Sequence, residues 1–302
     1  MERDRFKPLY SLLLLLLAAP VLAALMSPWI YQFLQRVAVA GSVLDAPFYR
    51  VTSRVVLIMV LLFLYPAYRL SGMRSRADIG LSGAPDRWRL MRLGMGIGAV
   101  SMLIVYFLGV ALNVFALDLA GRPLSFFLRE TVEIVIGALL IGVLEEILFR
   151  GYILNALRRS AGVIAAILIS SFLYSIVHFM RPIDPENVEQ WNSGFLLLQN
   201  LFARAGDAFL PEFCALFIMG IILSILTFWT KSVYVAIGLH TGWVWVMMFF
   251  RLFTDNRETM LWLYGRNEWV SKGWIGTVYL LLFLAAVFAT RRRWKKTSVP
   301  AE

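Results

Sequence analysis

Glu145 and Glu146 stand side by side in IGALLIGVLEEILFRGYIL, with Arg150 four residues after the second, in a stretch otherwise too apolar for charge. The chain has two histidines, His178 and His240, and both also lie in apolar runs. An ionised side chain at membrane depth costs about 3 kcal/mol even on insertion scales, so a cluster of them needs a role that compensates. Carboxylates and imidazoles together can move protons. A water held between a carboxylate and an imidazole can become a nucleophile, and a second imidazole can stabilise the oxyanion that forms.

Helical geometry separates the two glutamates. Glu146 and Arg150 are spaced i,i+4 and share a face, so they can form an intrahelical ion pair that lowers the cost of both charges. Glu145 points about 100° away and has no such partner on its own helix. Glu145 is therefore the candidate catalyst, and Glu146 the structural partner of Arg150. The alternative is that all three form a buried polar knot that holds helices together. His178 follows Glu145 by 33 residues, a separation that suits a helical hairpin and lets His178 face Glu145. His240 sits roughly 13 Å along its own helix from the basic end. Its depth matches that of Glu145, whereas His178 lies nearer the opposite end of its span.

The elements that must position these residues are membrane helices. Of the 302 residues 60% are hydrophobic, and mean hydropathy is +0.73, above what soluble domains show. Eight apolar runs of about 20 residues are read as spans, at roughly 10–31, 51–70, 91–115, 131–152, 161–180, 211–230, 232–253 and 273–290. The expected fold is an all-α membrane protein, a bundle of about eight transmembrane helices in a single polytopic domain covering 1–302. With the N-terminus inside, the cytoplasmic stretches hold 18 of the 29 Lys and Arg residues, at 3–7, 69–92, 150–159, 231 and 291–296. The positive-inside rule then puts both termini in the cytoplasm, which needs an even number of spans. Topology explains the net charge of +10, so nucleic acid gains no support as a partner. The leucine-rich start resembles a signal peptide, but its apolar run continues to about Tyr31 and is read as a retained first helix. Cys214 is the one cysteine, which excludes an internal disulfide and reads as a small buried apolar residue.

Three connections have distinct compositions. Residues 71–92 are basic and rich in Gly and Pro, read as a cytoplasmic linker at the lipid surface. Residues 181–210 form an acidic outer loop whose GFLLLQNLFA is too short to span and is either an interfacial helix or a lid. Residues 254–272 read as an ordinary outer loop. Glycines punctuate the helices: Gly94, Gly96 and Gly98 mark the third span, and Gly238 and Gly242 flank His240 at GxxxG spacing. Such residues let backbones approach closely, which would bring His240 near another helix.

EExxxR, then an aromatic–xxx–His segment, then a further His-bearing helix, in order on successive apolar spans, resemble the CAAX prenyl protease and bacteriocin-processing (CPBP, or abortive infection) family of intramembrane proteases. The motifs fall on Glu145, Glu146 and Arg150; on Tyr174 and His178, with Tyr replacing the more usual Phe; and on His240. The segment ADIGLSGAPDRWRLMRLG is also similar to one that many bacterial members carry before their core. The resemblance is strongest over 130–250, the implied catalytic core, and weaker over 70–130.

The resemblance implies an intramembrane endopeptidase, of glutamic or metallo type, acting on a membrane-associated protein or peptide. Glu145 and His178 would activate water, His240 would help bind the oxyanion, and Glu146 with Arg150 would support the site. Zinc is the alternative, with Glu145, His178 and His240 as ligands and a water as the fourth. The Glu146–Arg150 pair and the lack of a spare ligand favour a metal-free mechanism. Where the family often has Asn or Asp four residues after the last histidine, this chain has Val244. Trp243 or Trp245 could replace that donor through an indole N–H, although packing is the commoner use of such a residue. Basic loops and a compact chain suggest a bacterial cytoplasmic-membrane protein, whose substrate would be a secreted peptide or a sorting tail. The rivals are a proton-coupled transporter, which predicts internal repeats that are not found, and an inactive scaffold of the same fold.

Overall fold

The computed structural model describes residues 2–38, 44–81, 86–117, 123–180, 183–188, 190–202, 209–256, 260–265 and 270–296. The chain is an all-α membrane protein, and all eight expected spans are helical. Among the described residues four stretches are long and apolar enough to cross a bilayer: Phe6–Val37, Phe48–Leu70, Arg87–Ala111 and Phe209–Thr230. Val163–Val177, Tyr234–Phe250 and Trp274–Ala289 are apolar but shorter. Contacts gather the chain into two compact units, one made of 1–74 and 176–206, the other of 75–175 and 207–302.

In the first unit α1 (Glu2–Val37) packs on α2 (Phe48–Leu70). Ala23, Ala46, Val51 and Val55 are buried between them, and Tyr31 meets Phe48 edge to face at 5.4 Å. Three prolines lie inside α1. Proline has no N–H, so Pro28 deprives the Ala24 carbonyl of its helical donor. Gly194 lies against that carbonyl so closely that a Cβ there would collide with it. The GFLLLQNLFA stretch is thus anchored on α1, with its helix covering Ser193–Gln199; residues 203–208 of the same loop lie outside the described residues.

The second unit is built around one helix. α3 (Arg87–Ala111) is followed by a short strand β1 (Phe115–Leu117), then by α4 (Leu124–Glu146). A π-helical turn over Ile147–Ile153 leads into α5 (Leu154–Ala161), and Gly162, at φ +85°, reverses the chain into α6 (Val163–Val177). The helix Ser193–Gln199 is α7; α8 is Phe209–Thr230 and α9 is Tyr234–Phe250. A second strand β2 (Thr254–Asn256) pairs antiparallel with β1, Ala116 opposite Asp255. The chain ends in α10 (Leu261–Tyr264), α11 (Trp274–Ala289) and α12 (Arg291–Lys296).

α9 is the hub of this unit, buried at every position from Val235 to Trp243. Gly94 and Gly98 of α3 sit on the carbonyls of Val235 and Leu239, while Gly238 and Gly242 sit on those of Met91 and Met95. The two helices are in reciprocal backbone contact, and only glycine fits. On another face, Gly142 of α4 receives Thr241.

Two expectations need correction. The third span ends at Ala111, and Phe115–Leu117 pairs with Thr254–Asn256, so the loop read over 254–272 begins in a strand. Within the linker 71–92, a capped turn over Arg76–Ile79 packs on protein. Val233 N–H donates to the Gly80 carbonyl, the Ile79 carbonyl lies by Gly151, and Arg159 pairs with Asp78 at 2.5 Å. Finally, the glycine face of α9 does not deliver His240. Gly238 and His240 are two residues apart and point about 160° from one another; the glycines seat α3, and the histidine is left facing α4.

A methyl group at Gly238 must push two backbones apart, whereas Gly96 has open space around its missing side chain. Gly238→Ala is expected to destabilise by about 1–3 kcal/mol and Gly96→Ala to be neutral or mildly stabilising. Equal melting temperatures for the two variants in detergent would contradict the packing described.

Candidate active site

The π turn begins directly after the two glutamates. Its wider winding leaves backbone carbonyls without their usual α-helical donors, and such turns recur at functional sites. Asn155 answers this need, its side-chain N–H donating to the carbonyls of Arg150 (3.0 Å) and Gly151 (2.8 Å). The continuous α-helix expected over 131–152 is therefore interrupted within the motif itself.

Glu146 and Arg150 are fully buried and form the expected pair, Nη1 to Oε1 at 2.8 Å. Arg150 is held from other sides as well. Its guanidinium lies over the Tyr174 ring at 4.4 Å, and Nη2 approaches the Gly220 carbonyl at 3.5 Å. Tyr174 in turn meets Phe149 edge on, at 5.1 Å between centroids. A planar cation on an aromatic face, in place of water, suits arginine better than lysine.

His240 faces both glutamates. Nδ1 is 2.9 Å from Glu146 Oε1, the oxygen that also accepts from Arg150. A carboxylate can only accept, so Nδ1–H is the donor and the ring orientation is fixed. Nε2 is thereby turned towards Glu145, 4.0 Å from its Oε2. Glu145 keeps 30% of its side chain exposed, against 0% for Glu146. Glu146 is thus more than the partner of Arg150: it orients the histidine that meets Glu145.

The residue of α6 that reaches this cluster is Tyr174, fully buried, interacting with Glu145 and edge on to His240 at 6.2 Å. Its place in the aromatic–xxx–His motif is visible in the sequence, whereas its contact with Arg150 and Glu145 depends on the fold. His178 lies four residues on, in the turn that follows α6, half-buried and within the other compact unit. Of the expected residues, then, Glu145, Glu146, Arg150 and His240 are brought together within the second unit.

The Trp243 N–H is already engaged, donating to Tyr279 Oη at 2.8 Å and Ser101 Oγ at 3.2 Å, and its ring packs on Phe283. Trp245 stands about 140° around α9 from His240 and meets Phe249 at a tilt, 6.3 Å between centroids; its buried Nε1 has no hydrogen-bond partner among the described residues. Val244, one turn beyond His240 on the same face, is half-buried and offers no donor. Among the described residues no group of three or more His, Cys, Asp or Glu side chains is placed to hold a metal ion, and Glu146 Oε1 is engaged by Arg150 and His240.

Removing one partner of a buried ion pair strands the other charge. Arg150→Ala is expected to cost about 3–5 kcal/mol, and Arg150→Lys to recover only part of it because the stacking on Tyr174 is lost. Thermal unfolding in detergent checks both, and a lysine variant as stable as the parent would refute the stacked, shared geometry.

A family model described as type II CAAX prenyl endopeptidase Rce1-like matches residues 127–246. No curated protein and no solved structure matches the chain. The matched segment starts in α4 and ends in α9, and so contains the whole buried cluster as well as His178. Over residues 127–246 the chain is similar to the Rce1-like CAAX prenyl endopeptidases, in agreement with the CPBP intramembrane proteases that its ordered motifs resemble.

Proposed function

We propose that the protein is an intramembrane endopeptidase that hydrolyses a peptide bond in a membrane-associated protein or peptide without a metal, using Glu145 as the base towards water. The observation that carries this reading is the position of His240, fixed through Nδ1 on Glu146 and presenting Nε2 to Glu145. The 4.0 Å gap is too long for a hydrogen bond. An oxygen placed about 2.8 Å from both atoms fits it off axis, with an angle near 90° at that oxygen.

Glu145 takes a proton as the water oxygen adds to the peptide carbonyl carbon, and returns it to the amine as the C–N bond breaks. His240, when it carries its second proton, donates from Nε2–H to the oxyanion. His178 enters on the resemblance, sharing water activation with Glu145; it follows Tyr174, which faces Glu145, by four residues. Glu146, Arg150 and Tyr174 hold the geometry. Substrate reaches such a site most readily through lipid, and the basic termini are cytoplasmic in this reading. A secreted peptide or a sorting tail is the expected substrate.

Purified protein should cleave members of a membrane-peptide library, and Glu145→Gln and His178→Ala should each lower kcat by about 10²-fold or more with melting temperatures unchanged. Undiminished cleavage in both variants rules out the mechanism, and loss of activity to a strong chelator rules out its metal-free form. Val244→Asn adds a donor one turn from His240 and is expected to raise kcat, by up to about 10²-fold. An unchanged or lower kcat in a folded variant would show that the oxyanion lies elsewhere.

A further inference from the structure

The helices that hold Arg150, α6 through Tyr174 and α8 through Gly220, carry buried polar atoms for which the reaction has no use. Ser171 of α6 and Ser224 and Thr227 of α8 are buried, at 0%, 0% and 5% exposure. Their hydroxyls have no protein hydrogen-bond partner among the described residues, and neither do Arg150 Nε and Glu146 Oε2. A serine or threonine inside an apolar helix normally donates to the carbonyl four residues back. Thr230 does so, to Leu226 at 2.8 Å, but Ser224 and Thr227 do not.

Arg150 Nη2 approaches the Gly220 carbonyl, and Ser171 Oγ lies 3.0 Å from where a Gly220 side chain would begin. Gly220, Ser224 and Thr227 are spaced i, i+4 and i+7 and so share one face of α8. That face runs from Arg150 towards the end of α8, where Thr230 and Ser232 are buried and Lys231 is exposed. Leaving five such groups dry would cost roughly 1–3 kcal/mol each, whereas a buried water typically makes about three hydrogen bonds to polar groups of this kind.

We infer that Arg150, Ser171, Ser224 and Thr227 bind a file of ordered water along α8, reaching the Glu146–Arg150 pair from the Lys231 end. Its catalytic meaning rests on the reading of Glu145 as a base towards water: the file is a supply of hydrolytic water separate from the route by which an apolar substrate arrives. The hydration itself does not depend on catalysis.

Radiolytic hydroxyl-radical footprinting of the full chain in lipid nanodiscs reads this directly, because radicals formed from bound water label adjacent side chains. Tyr174 and Tyr106 are both 0% exposed, and Tyr106 lies in the apolar core. Tyr174 is expected to be labelled at least tenfold faster than Tyr106. Ser224→Ala with Thr227→Val should reduce Tyr174 labelling several-fold and leave Tyr106 unchanged. Equal labelling of the two tyrosines overturns the inference, as does Tyr174 labelling that is indifferent to the double variant. Thr227→Val alone, which preserves shape, serves if the pair fails to assemble: its melting temperature falls where the hydroxyl is hydrated and rises or holds where it is dry, the latter contradicting the file. Labelling at Tyr174 in a protein that cleaves nothing would uphold the file and remove only its catalytic meaning.

Discussion

One carboxylate oxygen, Glu146 Oε1, accepts from Arg150 at 2.8 Å and lies 2.9 Å from His240 Nδ1, with all three side chains out of contact with solvent. A buried charge is tolerated only where its partners are well placed, and the geometry is then stringent. Arg150 neutralises Glu146 but must itself be held, which the Tyr174 face and the Gly220 carbonyl accomplish. Through this oxygen α4, α6, α8 and α9 are registered against one another. The orientation of His240, and with it the direction in which Nε2 points, follows from that registration. A buried polar knot and a catalytic cluster were alternatives in the sequence. Here the knot is what aims the imidazole.

α9 shows how an apolar helix can serve several neighbours at once. Its glycines receive the backbone of α3, Thr241 meets Gly142 of α4, and Trp243 reaches Tyr279 of α11. These contacts leave His240 a single face. Close approach by glycine on one side contributes rigidity on the other, which a hydrogen bond with a tolerance of a few tenths of an ångström requires.

Much of this was legible in the sequence, because apolar length and i,i+4 spacing are local properties. The eight helices, the Glu146–Arg150 pair and the close-packing role of Gly94, Gly98, Gly238 and Gly242 all follow from them. What was not legible depends on side chains far apart in the chain. That Glu146 also orients His240 requires α9 to lie on α4, and no spacing within either helix says so. The π turn after Glu146 leaves no clear signal in ILFRGYI, and Asn155, which satisfies its carbonyls, looks like any polar residue near a helix end. Trp243 carries a donor that position alone could not assign; packing against Ser101 and Tyr279 decided it. The β1–β2 ladder escaped because each strand has three residues, too few for a periodic pattern.

The central claim is that Glu146 fixes His240 as the Nδ1–H donor and leaves Nε2 for the reaction with Glu145. With two histidines in the chain, ¹⁵N-histidine labelling gives two imidazole signals, and a His178→Ala variant assigns them. His240 Nδ1 is expected to resonate as a protonated, hydrogen-bonded nitrogen, with Nε2 bare in the neutral ring. A neutral His240 protonated on Nε2, with a bare Nδ1, would contradict it.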